Sequence, residues 1–275
     1  MANTIDVLGD ETLTDLIITR TITEIEDDNV ALLGNYAFYY CNTLTSVSFP
    51  EVTSIANNVF TSCSQLASAS FPKATIIGND AFTYCSNLTS VTIPKVTSIN
   101  SNAFYGCTKL TSASFPEVTS IGNYAFRGCS SLTSVTFPKA TSTGSSAFQS
   151  CTSLTSASFP EATGIGGSAF IYCSNLTSVS FPKATSINSN AFASCSQLTS
   201  VSIPKATRID STAFRSCASL TSVAFPEATS IHGAAFQNCT NLTDIYLSVA
   251  EGVIAGAPWG ATNATIHYEY DFGEG

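Results

Sequence analysis

Charge is scarce in this chain: only 11% of its 275 residues are Asp, Glu, Lys or Arg, ten of them basic, and there are two histidines, one tryptophan and one methionine. So few bases exclude a phosphate-backbone interface, which needs Lys and Arg clustered on one surface, and nucleic acid is not an expected partner. Only His232 and His267 could serve as a base near neutral pH. No G-x-S-x-G elbow, P-loop or H-E-x-x-H stretch occurs. Serine is abundant, but it recurs in equivalent positions, whereas a nucleophile needs one special environment. The chain is therefore expected not to be an enzyme, and no catalytic residue, cofactor or metal site is assigned. With no run of about 18 apolar residues, membrane insertion is not expected. The start, MANTIDVLGDE, lacks the basic residues and apolar core of a secretory signal. Three alternatives stay open on that ground: the chain remains in the cytoplasm, it leaves within a larger particle or after lysis, or a leader was trimmed from this sequence.

The little charge there is lies unevenly. Residues 1–28 carry eight acids against Arg20, residues 244–275 carry five acids and no base, and the stretch between holds nine bases and six acids. Acidic ends on a nearly neutral middle suit soluble caps on a stack. Disorder is excluded by an apolar content of 44%.

What the sequence does have is a repeat. The unit LTSVSFPEVTSIxNxxFxxCxx returns every 22 residues without insertion or deletion, carrying Leu44 through to Leu242, Phe38 to Phe236 and Cys41 to Cys239. Val47 and Phe49 alternate with Ser46 and Ser48, the period of a strand with one buried face, and Pro50 ends that strand because it brings no N–H to a ladder. Beyond Ile55, the column Gly78, Asn100, Gly122, Gly144, Gly166, Asn188 and Asp210 predicts a turn with positive φ, and Asn57, Asn79, Ser101, Asn123 and Ser145 follow as candidate helix N-caps. Ala-Phe-x-x-Cys then predicts a short helical turn that buries Phe60 and Cys63, three residues apart.

Five large apolar side chains per unit, at about 1.5–3 kcal/mol each, cannot offset the ordering of 22 backbones at about 1–2 kcal/mol each, so no unit folds alone and neighbours must stack. The expected architecture is a repeat solenoid of about ten to eleven coils, with a parallel strand sheet on one face and short helical turns on the other. Its expected parts are an acidic N-terminal cap over residues 1–28, the solenoid over 29–248 and a C-terminal capping segment over 249–275. In the first cap Leu16, Ile22, Ile25, Val30 and Leu33 keep the column spacing, while Thr19, Asp27 and Asp28 replace Cys, Phe and Pro. In the last, Ile266, Tyr268, Tyr270 and Phe272 alternate as a closing strand, and Trp259 plugs the open core.

The columns Leu44, Val47, Phe49, Ile55, Ala37-Phe38 and Cys41, repeated in register over residues 16–248, resemble a BspA-like leucine-rich repeat. That resemblance implies a leucine-rich repeat fold and a role in adhesion or protein–protein contact at a bacterial or protozoal surface. More faintly, the ends MANTIDVLGDE and APWGATNATIHY resemble those of repeat proteins encoded in prophages of gut bacteria, which adds a phage particle as a possible location.

Each cysteine follows a buried Phe by three residues, so its plain role is a small buried apolar group; disulfides between coils and a zinc site are the weaker alternatives, since a single file of thiols does not converge tetrahedrally. The outward serines form two hydroxyl rows, read either as a solvated sheet or as a regular polar surface for a repetitive ligand such as a glycan. Glu51, Lys73, Lys95 and their equivalents to Glu227 form a charged column in which six of eight neighbouring pairs are opposite in sign, read as a cross-coil register device. The two positions after each repeated Phe vary freely, and aromatics and arginine there are what an interface uses. Candidate binding residues are Tyr36, Tyr39, Tyr40, Tyr84, Tyr105, Arg127, Tyr172 and Arg215, facing a protein or glycan on a cell surface. The alternatives are drift on an unconstrained face and a structural spacer rod within a larger assembly.

Overall fold

The computed structural model describes residues 23–273; Leu16, Thr19 and Ile22 of the expected N-terminal cap lie outside them. The chain winds as a parallel β-solenoid. Three-residue strands, from Glu24–Glu26 and Ser46–Ser48 onward to Asp244–Tyr246 and Thr265–His267, pair in parallel with the coil before and after. Register advances by 22 residues, as in Val47 opposite Ala69. At the last pair it shortens by one, with Ile245 opposite Ile266. The central residue of nearly every strand faces the core and the flanking serines face out, the alternation that the pleat imposes.

A second set of two-residue strands, such as Ser54–Ile55 and Ile76–Ile77, forms another parallel ladder on the far side of Pro50 and its equivalents. It is interrupted at one coil. There the isoleucine column carries Thr143, which is buried and takes the Gly166 N–H on Oγ1 at 2.9 Å; only Ser142 makes an isolated bridge to Gly164. A side-chain oxygen in the core diverts a donor that elsewhere goes to the isoleucine carbonyl, as from Gly122 N–H to Ile99 at 2.7 Å.

No helix forms among the described residues, which corrects the expected helical turns. Each Phe-x-x-Cys segment is a pair of tight turns, and most coils place a residue with φ near +60° two positions before and two after the Phe, as at Asn58 and Ser62. Left-handed residues at that spacing cannot continue a helix. The N–H groups run along the solenoid axis instead: Phe60 donates to Ala81 and Ser62 to Thr83, in the next coil. The i, i+3 spacing of Phe and Cys, which pointed to a helix, is met equally by consecutive turns.

Two further expectations change with it. The candidate N-caps form a ladder in which the Asn57, Asn79 and Asn123 side chains accept the N–H of Asn79, Ser101 and Ser145 at 2.8, 3.1 and 2.8 Å. None of Gly78, Gly122, Gly144 and Gly166 has positive φ; their reason is close approach, since a Cβ on Gly144 would lie 2.3 Å from the Gly122 carbonyl oxygen. The sharp closing strand expected to Phe272 ends at His267, because Glu269 takes φ 52° and Tyr270 donates back to the Leu247 carbonyl.

The core is a set of stacked columns. Phe38 and its equivalents to Phe236 stack ring on ring without a break, centroids 5.1–5.6 Å apart. Trp259 is fully buried near the end of this stack, its Nε1 donating to Ala255 and its carbonyl accepting from Phe236. On the strand side, the Phe49 column is interrupted by Ile93 and Ile203, and at those two coils the main sheet divides: Ser90–Thr92 ends one segment, Ser112–Ser202 forms the next, and Ser222–Ala224 begins the last. Val91 and Val201, just before the two isoleucines, are half-buried, whereas their equivalents are buried. Isoleucine has no ring to stack on its neighbours, so the strand it carries sits less firmly against the core.

Candidate binding surfaces

Tyrosine is concentrated where the turn face is most demanding. Tyr36, Tyr40, Tyr84, Tyr124 and Tyr172 all have φ between 58° and 64° and are all exposed. A bulky side chain in the left-handed region costs about 1–3 kcal/mol, and other coils carry Asn, Asp, Ser, Thr or Gly at these positions.

The candidate residues fall into two clusters and two singles. Tyr36, Tyr39 and Tyr40 gather at the N-terminal end, with Tyr36–Tyr39 and Tyr39–Tyr40 centroids 5.5 and 4.6 Å apart, edge to face. Tyr84 and Tyr105, from adjacent coils, meet at 5.0 Å, and the Arg127 guanidinium lies 5.4 Å from the Tyr105 ring and 5.6 Å from that of Tyr124. Tyr124 belongs to this second cluster, in the column of Tyr36, two residues before its Phe, and was not among the candidates. Gly106, at φ 72°, makes room for the patch: a Cβ there would lie 2.7 Å from Tyr84 Cδ1. The Tyr84 phenol is pushed above its ordinary value, first by hydrogen bonding with Tyr105 and then by partial burial. Tyr172 and Arg215 join neither cluster; among the described residues they make no ring or charge contact with the others.

The charged column resolves into separate pairs. Lys73–Glu51, Lys139–Glu117 and Lys183–Glu161 close at 2.6, 2.7 and 2.7 Å, with Lys205–Glu227 likewise bonded. All are half-exposed, so each contributes about 0.2–1 kcal/mol. More continuous are eight threonine hydroxyls, Thr75 to Thr229, each donating to the carbonyl of the threonine one coil back at 3.0–3.4 Å. Nothing in the hydropathy pattern marks these; the signal is the invariance of threonine beside a position that varies, with Ile76, Gly164 and Arg208 among its serines.

All ten cysteines are free and buried. They do more than fill space, because the thiols from Cys63 to Cys239 each donate to the carbonyl of the Phe in the preceding coil at 2.9–3.2 Å. Burial pushes Cys173 up to about 12 and raises the other thiols from Cys63 to Cys217 as well. At the column's ends, Cys41 and Cys239 are lowered by hydrogen bonds with Cys63 and Cys217.

The strand face carries the two hydroxyl rows and two grooves. One, of about 260 Å³, lies over Ser46, Ser48, Ser68 and Ser70 and is edged by Glu24 and Glu26, which stand where later coils have serine. The other, of about 390 Å³, lies over Ser200 and Ser222 and is walled by Tyr246, Tyr270 and Phe272. Sequence reading placed Tyr270 and Phe272 in a strand and so missed this wall. Among the described residues, no group of three or more His, Cys, Asp or Glu side chains is placed to hold a metal ion, and no helix is long and apolar enough to cross a membrane.

The family model for the BspA type leucine rich repeat region matches in six copies, over residues 7–117, 75–197 and 163–254. No curated protein matches the chain. Among solved structures, a leucine-rich repeat protein from Bacteroides ovatus is 22% identical with a TM-score of 0.55, the match covering 90% of this chain and 83% of that one; it shares the fold. A leucine rich cell surface protein from Faecalibacterium prausnitzii is 25% identical with a TM-score of 0.48, the match covering 84% of this chain and 80% of that one. The unbroken 22-residue register and the family match together establish that this chain belongs to the BspA-type leucine-rich repeat family, whose fold is in general a non-enzymatic binding scaffold.

Proposed function

We propose that the chain is an adhesion module of a bacterial surface or phage particle, docking a protein partner on the patch formed by Tyr84, Tyr105, Tyr124 and Arg127. The observation that carries this reading is the set of exposed tyrosines held on left-handed backbone. Strain maintained at rings that stay exposed, where neighbouring coils carry smaller residues, fits a selected contact. The patch is also pre-organised: Arg127 is held by two rings and Tyr84 lies over Gly106, so little side-chain entropy is lost on docking. Tyr and Arg are the residues that dominate interface energetics. The surface location follows what the family resemblance implies.

The experiment is retention of the purified chain by host-cell surfaces and envelope extracts, with and without Tyr84→Ala, Tyr105→Ala and Arg127→Ala combined. Retention is expected to fall by at least about 30-fold, the effect of losing about 2 kcal/mol at a hot spot. Uniform failure of the native chain to be retained would sink the reading. A second reading, a spacer rod, is favoured by the unbroken ring stack and the four cross-coil ion pairs. It predicts that the triple variant retains full function in the intact assembly.

A further inference from the structure

The groove at the C-terminal end of the strand face differs from the rest of that face in three independent ways. It straddles the division of the sheet between Ser200–Ser202 and Ser222–Ala224, the coil in which Ile203 replaces phenylalanine, and the half-buried Val201 shows in its floor. The hydroxyl row ends here, since Ala224 and then Tyr246 follow Ser202 in the column. And the wall is aromatic: Tyr246 and Tyr270 lie 4.7 Å apart at 60°, and Tyr270 and Phe272 4.9 Å apart at 69°. Tyr246 is fixed from behind by His267, which stacks on it at 4.4 Å and whose Nε2 lies 2.7 Å from Asp244 Oδ1.

The chemistry of this lining selects among ligands. It contains no cationic side chain to neutralise a phosphate or carboxylate. The backbone groups of the floor lie in the plane of the sheet rather than pointing from its face, so a peptide strand would find no ladder to extend. Serine hydroxyls both donate and accept, as sugar hydroxyls do. Exposed aromatic faces, negative in quadrupole, attract the polarised C–H bonds on the apolar face of a sugar ring. At about 390 Å³ the groove falls in the range of small-ligand sites, roughly 300–1,000 Å³.

We propose that this groove binds the neutral pyranose rings of a glycan, one apolar sugar face resting on the Tyr246–Tyr270 pair and the ring hydroxyls meeting Ser200 and Ser222. The site is on a different face from the Tyr84–Arg127 patch and stands or falls independently of it. Its role is to hold the solenoid to a polysaccharide while the turn face remains free for a protein.

The test is affinity electrophoresis of the intact chain through gels containing soluble neutral polysaccharides (a β-glucan, a xylan, a mannan), followed by calorimetric titration with a hexasaccharide of whichever retards it. Saturable binding is expected. Tyr270→Ala and Tyr246→Ala should each weaken it by about tenfold or more, and Ser222→Ala by a few-fold. Tyr84→Ala should leave it unchanged, and so should Lys73→Ala. Tyr270 is exposed, so its truncation should keep the native melting transition, which separates loss of the site from loss of the fold. The proposal is overturned if no neutral polysaccharide retards the chain, if Tyr270→Ala binds as tightly as the native chain, or if only acidic polysaccharides or peptides occupy the groove.

Discussion

The two phenylalanine columns use the same residue at the same spacing, yet one runs unbroken from Phe38 to Phe236 while the other is interrupted at Ile93 and Ile203. The turn-side column is reinforced twice, by backbone donation from each coil to the next and by the cysteine thiols that bond to the carbonyls of the same phenylalanines. The strand-side column has its rings, its ladder and threonine hydroxyls at the strand entrance, such as Thr133 donating to the Thr111 carbonyl, but no bonded thiol. At Ile93 and Ile203, where a ring is lost within the stack, the ladder to the next coil is lost too, whereas it persists at the ends, where Asp27 and Leu247 stand in the column. The turn face is thus the spine of the solenoid, and the strand face is assembled in segments. Both proposed surfaces occupy local departures from the repeat, one over Gly106 and one over the Ile203 joint.

The largest test of the spine is alkali. From Cys63 to Cys217, burial makes each of eight thiols a weaker acid folded than unfolded. A raised folded value means a stability contribution that is complete below the unfolded value, roughly 8.5, and is lost as the pH rises towards the folded one, which for Cys173 is about 12. Each such thiol removes about 1.4 kcal/mol per pH unit within that window. Eight acting together should unfold the stack within roughly one to two units above pH 8.5, reversibly and followed by circular dichroism. Cys41 and Cys239, shifted the other way at the column's ends, do not share this loss and should be the first to be alkylated. A melting temperature that stays level from about pH 8 to about pH 10 would remove the buried column from the account.

Next in size is truncation within the rings. Phe126 touches Phe104 and Phe148 along its own column and Phe115 and Phe137 across the core. Phe126→Ala should cost about 3–5 kcal/mol in denaturant titrations. Phe71, beside the Ile93 interruption, stacks along its column only with Phe49, so Phe71→Ala should fall at the lower end of that range. If Phe71→Ala proves the more costly, the turn-side column is not the spine.

Much of this was legible because a repeat makes its own alignment. Ten aligned copies reveal which positions tolerate only Phe, Leu, Cys or Pro, and from these the coil, the inward faces and the strand follow. Less legible was backbone conformation. Ala-Phe-x-x-Cys fits a helical turn as well as paired tight turns, and only the left-handed φ at residues such as Asn58 and Tyr84 separates them. Tyr124 stands in the same column as the candidate Tyr36, and only the fold brings it beside Arg127. The aromatic wall of the second groove was missed because Glu269, an ordinary residue by composition, adopts φ 52° and turns Tyr270 back over the sheet. Thr143 and Ile203 were visible as departures in their columns, but a single substitution does not disclose that a ladder ends beside it.

The smallest effect bears most directly on why the sheet divides. Ile93→Phe restores the residue that other coils carry and should link the ring of Phe71 to that of Phe115 through a new one. Val91 should then become buried like Val47 and Val135, and Ser90–Thr92 should pair with Ser112–Ser114. The expected gain is about 1 kcal/mol, the scale of one added aromatic contact with its buried area, read as a raised melting temperature and slower hydrogen exchange at the amides of 112–114. Overpacking a site already fitted to isoleucine would instead cost about 1–3 kcal/mol. That outcome would mean the coil is held open by its neighbours rather than by the missing ring, and the joint at Ile203 would then need the same reinterpretation.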